Sequence, residues 1–251
     1  MRFLLYNIRY AAGADTRFHT PFPYSGYFRR TTANLERITE FIKSAKPDIV
    51  GLVEVDSGSF RSQRDNQPAA IAEALGHYHF YQSKYAAQSL AQRIPLLSKQ
   101  GNAFLTSNEI EAQKFHYFSH GIKRLVLELE LENLVILLVH LSVKFRHRQY
   151  QLGELYSLIE EIKKPTIVAG DFNLFRGLRE VKLFLAATGL KNANTAGHPS
   201  YPSRAPHRQL DFILYSPEIH ITRFEIPHVP YSDHLPLLCD FDLPSRPTSK
   251  K

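Results

Sequence analysis

The sequence predicts an α+β fold in which two β-sheets pack against each other and helices cover their outer faces. Many short segments have the apolar or alternating composition of strands, and several follow one another closely enough to form hairpins. Only a few segments show helical spacing, each with one apolar face. Because strand and helix do not alternate strictly, as they do in a parallel doubly wound sheet, a pair of packed sheets is the better prediction.

The first part of the chain contains two predicted strands and two predicted helices. An apolar run at 2–8, RFLLYNI, predicts the first strand, and DIVGLVEV at 48–55 predicts the second. Between them, the segment 31–45 places apolar residues at helical spacing. A short helix is then expected between Asn66, which is a typical N-terminal cap, and Gly76, which is a typical C-terminal stop.

The middle of the chain favours strands joined by short turns. Five candidate strands succeed one another there: YHFYQSKY, GNAFLTS, AQKFHYFS, KRLVLELEL and NLVILLVHL. Glu132 and Asn133 separate the last two, and they predict a tight turn between antiparallel neighbours.

The last part of the chain begins with a predicted helix at 150–164, which has one apolar face. The strand TIVAG follows at 166–170, and a second helix is predicted at 179–188. The remaining strand candidates are LDFILYS, HITRFEI and LPLLCDF.

Composition bounds the class of protein. The chain has 251 residues, of which 43% are hydrophobic, and no linker-like or repetitive run divides it, so we expect one domain at 1–243 and a basic flexible tail at 244–251. Cys239 is the single cysteine, which excludes an internal disulfide. No apolar run approaches the roughly 20 residues of a membrane span, and the N-terminus predicts a strand rather than a signal peptide. We therefore expect a soluble, cytoplasmic monomer.

The net charge is +7, and the densest basic run, KFRHRQ at 144–149, follows His140 closely. Such a charge favours an anionic partner, either nucleic acid or an anionic lipid surface. The ordinary alternative is a basic surface that is simply solvated.

Polar residues stand where predicted strands end or begin. Four strands run into Asn7, Glu54, His140 and Asp171, with Asn173 two residues further, and two others start at Asp211 and just after Asp233 and His234. Since the opposite ends of antiparallel neighbours lie on one rim of a sheet, we expect these groups to meet. Carboxylates placed together repel one another without a cation, and oxygen ligands suit Mg²⁺ or Mn²⁺ better than zinc.

Each of these residues also has an ordinary explanation as a turn residue, an exposed strand end, a cap or a satisfied core histidine. The GDFN segment favours function most, because Gly170 permits close approach of the backbone and directs Asp171 and Asn173 into one space. The joint occurrence of all of them is the stronger indication.

With these residues in view, the chain resembles the endonuclease/exonuclease/phosphatase superfamily of DNase I-like, metal-dependent phosphoesterases. The resemblance runs from YNIRY to SDHLPLLCDF and rests on Asn7, Glu54 in DIVGLVEV, Asn102 in GNAFLTS, His140 in LVHLS, GDFN, Asp211 in QLDFIL, and Asp233 and His234 in SDHLP. It implies a four-layer α/β/β/α sandwich of two mixed sheets with helices outside.

The resemblance also implies the metal site and the part that binds substrate. Glu54 with Asn7 would bind Mg²⁺, or Mn²⁺ in its place, and Asp233 would be a further ligand. Asn102 and Arg124 would contact the phosphate-ester substrate. The loops 11–28 and 200–207 are expected to border the site, and the basic run at 144–148 supplies further candidate phosphate contacts.

For catalysis, the resemblance implies that Asp171 accepts a proton from the attacking water and that Asn173 orients the water or the phosphate. His234 would hydrogen-bond a phosphoryl oxygen, with Asp211 fixing its tautomer, and His140 would stabilise developing charge from another side.

The expected function is therefore a Mg²⁺-dependent phosphoesterase, first of all a phosphodiesterase or nuclease that uses metal-assisted attack of water. A hydrolase of phospholipid, sphingomyelin-type or sugar-phosphate esters is the alternative within this chemistry. A non-catalytic nucleic-acid-binding module on the same fold is the alternative of another class. The strand end VHLS, which carries His140, is more similar to that of pancreatic-type deoxyribonucleases, inositol-phosphate phosphatases and neutral sphingomyelinases than to that of the abasic-site branch. The absence of the disulfides found in secreted deoxyribonucleases disfavours extracellular DNA digestion.

Overall fold

The structure is a computed structural model that describes residues 1–14, 31–59, 62, 64–84 and 97–244. The described strands are β1 (Arg2–Asn7), β2 (Ile49–Asp56), β3 (Tyr78–Ser83), β4 (Gln100–Thr106), β5 (Ala112–Tyr117), β6 (Leu125–Leu131), β7 (Leu134–His140), β8 (Thr166–Asp171), β9 (Lys191–Asn192), β10 (Asp211–Tyr215), β11 (His220–Glu225) and β12 (Leu237–Asp242). The described α-helices are α1 (Thr32–Ala45), α2 (Gln67–Leu75), α3 (Phe145–Glu161) and α4 (Arg179–Thr188).

The strands form two six-stranded sheets, in the orders β11-β12-β1-β2-β4-β3 and β5-β6-β7-β8-β10-β9. Strand β1 is parallel to β2, and β7 is parallel to β8, whereas their other neighbours in the sheets are antiparallel. Both sheets are therefore mixed, as predicted.

Apolar side chains define four layers. The inner faces of the two sheets share one buried cluster, in which Phe3 and Phe104 of the first sheet join Leu138 and Ile213 of the second. The outer face of the first sheet packs on α1 and α2, and that of the second packs on α3 and α4. This arrangement confirms the α/β/β/α sandwich.

Local sequence features explain most of the element boundaries. Asn66 caps α2 by accepting a hydrogen bond from the Ala69 amide at 3.3 Å, and Gly76 ends the helix at φ +68°. Glu132 and Asn133 form the turn between β6 and β7, as predicted. The two-residue strand β9 was not predicted, since so short a segment carries no periodicity.

Helix α3 begins at Phe145, five residues before the predicted start. The basic run therefore lies in the first turns of this helix rather than in a loop. Its Arg148 is 1% exposed and points into the protein, which disagrees with its prediction as a phosphate contact.

The topology brings the polar strand ends to one rim. The carboxyl ends of the parallel pairs β1/β2 and β7/β8 carry Asn7, Glu54, His140 and Asp171. Strand β10 runs antiparallel to β8, so that Asp211 lies directly opposite Asp171. The predicted tail at 244–251 and the loop at 11–28 lie outside the described residues, except for Pro244 and for 11–14. None of the described helices is both long enough and apolar enough to cross a membrane.

Candidate active site

The turn after β8 fixes Asp171 in place. Gly170 has φ +149°, and a Cβ atom there would collide with the carbonyl of Val139, so glycine is required. Oδ1 of Asp171 accepts a hydrogen bond from the Asn173 amide at 2.9 Å, and Asn173 adopts a left-handed φ of +53° that asparagine tolerates. The Nδ2 atom of Asn173 donates to the carbonyl of Leu141 at 2.8 Å. The GDFN segment thus forms a turn and also directs one carboxylate oxygen into the site.

The second carboxylate oxygen of Asp171 contacts side chains from both sheets. Its Oδ2 accepts a hydrogen bond from Nδ2 of Asn7 at 3.2 Å, and it lies 3.3 Å from Nε2 of His140 and 3.8 Å from Nε2 of His234. The residue is only 2% exposed. Burial opposes ionisation, but the charge of His234 and the hydrogen bond from His140 outweigh it and lower the pKa of Asp171 well below its usual range. Asp171 is therefore a carboxylate at neutral pH.

Asp211 orients His234. Oδ2 of Asp211 lies 2.8 Å from Nδ1 of His234, and it also accepts a hydrogen bond from the Ser200 hydroxyl at 2.6 Å. Burial disfavours the protonated ring, but the charges of Asp211 and Asp171 outweigh burial and raise the pKa of His234 to about 10. The ring is therefore a cation with its Nε2 side towards Asp171.

Glu54 lies within strand β2 at an irregularity in its pairing with β4, between Leu52 and Val55. Its φ is +56°, a strained value for glutamate of the kind found at functional sites, and its amide donates to Oδ1 of Asn102 at 3.3 Å. The Glu54 carboxylate lies 3.8 Å from Nε2 of His140. Burial would raise its pKa, but the nearby charge of Lys123 reverses this and lowers the pKa to about 2.

Lys123 enters the site, and sequence reasoning missed it. Its Nζ atom contacts Nε2 of His140 and lies 3.5 Å from Oε1 of Glu54. Burial and this nearby charge both lower the pKa of His140, so the ring is neutral. Arg124, which was predicted to contact substrate, is half-buried in the next position, where its carbonyl accepts a hydrogen bond from the Phe118 amide at 2.8 Å. Nothing in the sequence says which of two adjacent basic residues faces the site.

Buried polar residues of α3 hold the loops that carry Lys123 and His140. The side chain of Gln151 donates to the carbonyl of Lys123 at 2.6 Å and accepts from the Ser142 amide at 2.8 Å. Arg148 pairs with Glu180 of α4 at 2.5 Å and donates to the carbonyl of Ser142 at 2.8 Å. For Gln151 the signal was a polar residue on the apolar face of the predicted helix at 150–164, whereas Arg148 lies before that predicted helix and carried no such signal.

Asp233 and Asn102 lie at the edges of the site. The carboxylate of Asp233 is 3.5 Å from Nε of the buried Arg9, so a guanidinium offsets its charge. Asn102 is 2% exposed, and its Nδ2 atom has no hydrogen-bond partner among the residues that the structure describes. The ligand role of Asp233 stays a prediction, as does the substrate contact of Asn102.

Two groups of side chains could hold a metal ion. One atom each of Asp171, Asp211 and His234 lie within 4.8 Å of one another, but a histidine ligand must be neutral, and the two carboxylates favour the protonated ring. Glu54 is ionised and presents oxygen, the ligand type that Mg²⁺ prefers. The side-chain oxygen of Asn7 accepts a hydrogen bond from the Arg9 amide at 3.1 Å, which leaves its second lone pair for an ion. The residues on this rim therefore fit a hard divalent cation.

The structure brings most of the predicted site residues to one rim, where contacts link Asn7, Glu54, Asn102, His140, Asp171, Asn173, Asp211 and His234. Sequence reasoning missed Lys123, Gln151 and Arg9, and it predicted Ser200 only as part of a loop that borders the site.

Comparison with protein-family models finds one match, described as the Endonuclease/Exonuclease/phosphatase family, over residues 4–234. Comparison with curated proteins finds no match.

Comparison with solved structures finds proteins of similar fold. The human Nocturnin catalytic domain has a TM-score of 0.70 at 21% identity and covers 97% of this chain and 94% of its own. A mannosyl-6-phosphatase from Bacteroides thetaiotaomicron has a TM-score of 0.70 at 14% identity, covering 97% and 100%. An AP endonuclease from Archaeoglobus fulgidus has a TM-score of 0.65 at 15% identity, covering 97% and 100%. At these identities the likeness shows the fold alone.

Proposed function

The chain belongs to the endonuclease/exonuclease/phosphatase family, and from that premise we propose that it is a Mg²⁺-dependent phosphodiesterase that hydrolyses nucleic acid. One observation carries the proposal. A single buried carboxylate oxygen, Oδ2 of Asp171, lies within 4 Å of an amide and two imidazoles that come from both sheets. A module that only binds nucleic acid would not need this buried arrangement of titratable groups.

A divalent metal is implied by the family, and Glu54 with Asn7 would hold it. When bound, Mg²⁺ would offset the charge on the phosphoryl oxygens and assist departure of the leaving group. Mn²⁺ has the same ligand preference and would serve in its place.

Asp171 orients the attacking water and accepts its proton as the oxygen–phosphorus bond forms. Because the pKa of Asp171 is low, its carboxylate is ionised at neutral pH and can accept the proton, although it binds that proton weakly. Asn173, whose amide bonds Asp171 and whose side chain bonds Leu141, keeps that carboxylate in its turn. Asp171 is therefore already deprotonated when it positions the water.

Two cationic groups, His234 and Lys123, stabilise negative charge on the phosphoryl group. The protonated His234, held by Asp211, donates from Nε2 to a phosphoryl oxygen. Lys123 adds a positive charge beside His140 on the opposite side. The negative charge that develops in the transition state therefore meets donors that are already in place.

The nucleic-acid half of the proposal is supported by charge. The chain carries a net charge of +7, and Lys144 and Arg146 are exposed in the first turn of α3, a few residues after His140. Arg148 does not contribute, because it is buried against Glu180.

The test is a hydrolysis panel in Mg²⁺ and in EDTA with single- and double-stranded DNA, RNA, a chromogenic phosphodiester and a phosphomonoester. We expect Mg²⁺-dependent cleavage of nucleic acid and of the small diester. Activity confined to the monoester would exclude the diesterase. Tight binding of nucleic acid without turnover on any substrate would favour the binding module.

A second candidate function, hydrolysis of a lipid headgroup diester, is favoured by exposed apolar side chains beside the site. Ile122 is 69% exposed, Val143 56% and Phe145 47%, and they adjoin Lys123 and the loop after His140. Exposed aliphatic groups next to basic ones are typical of proteins that bind anionic membranes. Headgroup release from vesicles that contain an anionic phospholipid, with no cleavage of nucleic acid, would replace the first candidate with this one.

A further inference from the structure

A row of aromatic rings leads from the candidate active site to the surface. The ring of Tyr201 lies against that of His234, with centroids 4.9 Å apart. Phe175 meets Tyr201 edge to face at 5.8 Å. The guanidinium of Arg208 lies over Phe175, 5.5 Å from the ring centroid, and Nη1 of Arg208 donates to the Phe175 carbonyl at 2.8 Å.

The outer end of this row is exposed, which a purely structural role does not explain. Phe175 is 36% exposed, whereas Phe172, three residues earlier on the same turn, is fully buried in the core against Phe212. A phenylalanine that served only to pack the turn would be expected to be buried in the same way, since exposing its ring forfeits hydrophobic stabilisation.

The same surface is basic, and three of its arginines form no ion pair with any described acidic residue. Arg176, Arg204 and Arg208 are all exposed around Phe175 and in the neighbouring loop. In the part of the chain that the structure describes, none of the three has a carboxylate within 4.0 Å. Positive charge that is not balanced within the protein attracts an anion.

Exposed aromatic faces and unbalanced arginines together match one class of ligand. Each base of a single-stranded nucleic acid has a free flat face that stacks on aromatic rings and guanidinium planes, and each nucleotide adds a phosphate charge. In a duplex those faces are covered by neighbouring bases. A lipid headgroup offers a phosphate but no planar group for Phe175.

We propose that Phe175, Tyr201 and Arg208 form a base-binding subsite, which places an unpaired base beside His234 when its neighbouring phosphodiester is cleaved. This assignment rests on the proposed function, because it names the substrate of the same site. The enzyme would accordingly prefer single-stranded nucleic acid over duplex.

The test compares trinucleotides of equal charge: one has all its bases, and three analogues have an abasic spacer at the first, second or third position. Methyl p-nitrophenyl phosphate, a diester without a base, reports separately whether the wild-type protein is a diesterase. We expect kcat/KM for the complete trinucleotide to exceed that of one abasic analogue by about tenfold to a hundredfold, the range of a single base stack.

Phe175→Leu and Arg208→Gln should each reduce this ratio by about tenfold, chiefly through KM. Phe115→Leu is the matched control. Phe115 is 49% exposed and meets Tyr117 edge to face at 5.8 Å, but it lies on β5, the edge strand of its sheet. Its ratio should equal that of the wild type. Binding of the intact trinucleotide in EDTA gives the same comparison without turnover, and far-UV circular dichroism verifies folding.

The subsite would be overturned if wild type and variants all hydrolyse the small diester but show the same kcat/KM for every trinucleotide. The proposed function would remain in that case. Equal losses in the Phe175 and Phe115 variants would also overturn it. If the wild type hydrolyses neither the small diester nor any trinucleotide, the proposed function itself fails.

Discussion

The two ring nitrogens of His234 face two different carboxylates: Nδ1 lies 2.8 Å from Oδ2 of Asp211, and Nε2 lies 3.8 Å from Oδ2 of Asp171. Asp211 comes from the start of β10 and Asp171 from the end of β8, and these residues pair directly in the sheet. The ring itself precedes β12 of the other sheet. One protonated imidazole therefore ties the two sheets together at the rim where chemistry is proposed.

The titration of His234 should depend on Asp211. In Asp211→Asn the ring loses its nearest negative charge but stays buried, so we expect its pKa to fall from about 10. NMR titration of the His234 ring in metal-free buffer measures this directly. An unchanged midpoint in the variant would contradict the pairing.

The same pair should make stability depend on pH. Because folding raises the pKa of His234 from 6.5 to about 10, its contribution to stability is fully present below about pH 6.5 and is lost as the pH rises towards 10. We expect urea unfolding in EDTA to show a loss between these values in the wild type and a smaller loss in Asp211→Asn. A larger loss in the variant would refute this linkage.

Lys123 should matter more than its neighbour Arg124. Lys123→Gln removes the charge beside His140 and Glu54, and we expect kcat/KM to fall by about a hundredfold, as when one donor to a developing oxyanion is removed. Arg124→Gln is the matched control, with a smaller expected loss. If steady-state kinetics show the larger loss of kcat/KM in Arg124→Gln, Arg124 is the phosphate contact, as the sequence predicted.

Gln151 should support both stability and activity. Its replacement by alanine leaves the Ser142 amide and the Lys123 carbonyl unpaired in a buried region, at a cost of about 1 to 3 kcal/mol in the free energy of unfolding. Displacement of the two loops should also lower kcat about tenfold. Glu160→Ala, in an exposed position on the same helix, should change neither by much. Equal effects of the two substitutions in urea unfolding and kinetics would exclude the special role of Gln151.

Glu54 should set the requirement for Mg²⁺. We expect Glu54→Gln to raise the Mg²⁺ concentration for half-maximal activity by at least about a hundredfold, because it removes the ionised ligand. Glu73→Gln, an exposed substitution on α2, provides the control. An unchanged Mg²⁺ dependence in the Glu54 variant would move the metal to another group of residues.

The two-sheet fold and the rim could be predicted because both depend on local patterns. Apolar runs predict buried strands, and a polar residue at the end of such a run is expected to lie at the rim of the sheet. GDFN was the most informative segment, since only glycine tolerates the approach of Val139 to Gly170.

What the sequence could not predict depends on tertiary contact. Lys123 and Arg124 are adjacent and chemically similar, and only the position of the loop on Gln151 decides that Lys123 reaches His140. The basic run at 144–148 was predicted to supply exposed phosphate contacts, but helical geometry turns Arg148 inwards to Glu180. The row from His234 through Tyr201 to Phe175 joins three segments that are distant in sequence.

The most direct test of the account is hydrolysis of methyl p-nitrophenyl phosphate and single-stranded DNA by wild type and Asp171→Ala, each in Mg²⁺ and in EDTA. The account predicts turnover only for the wild type in Mg²⁺, with a loss of at least about a thousandfold in the variant. A folded Asp171→Ala protein that retains wild-type activity in Mg²⁺ would contradict the central claim that this carboxylate positions the attacking water.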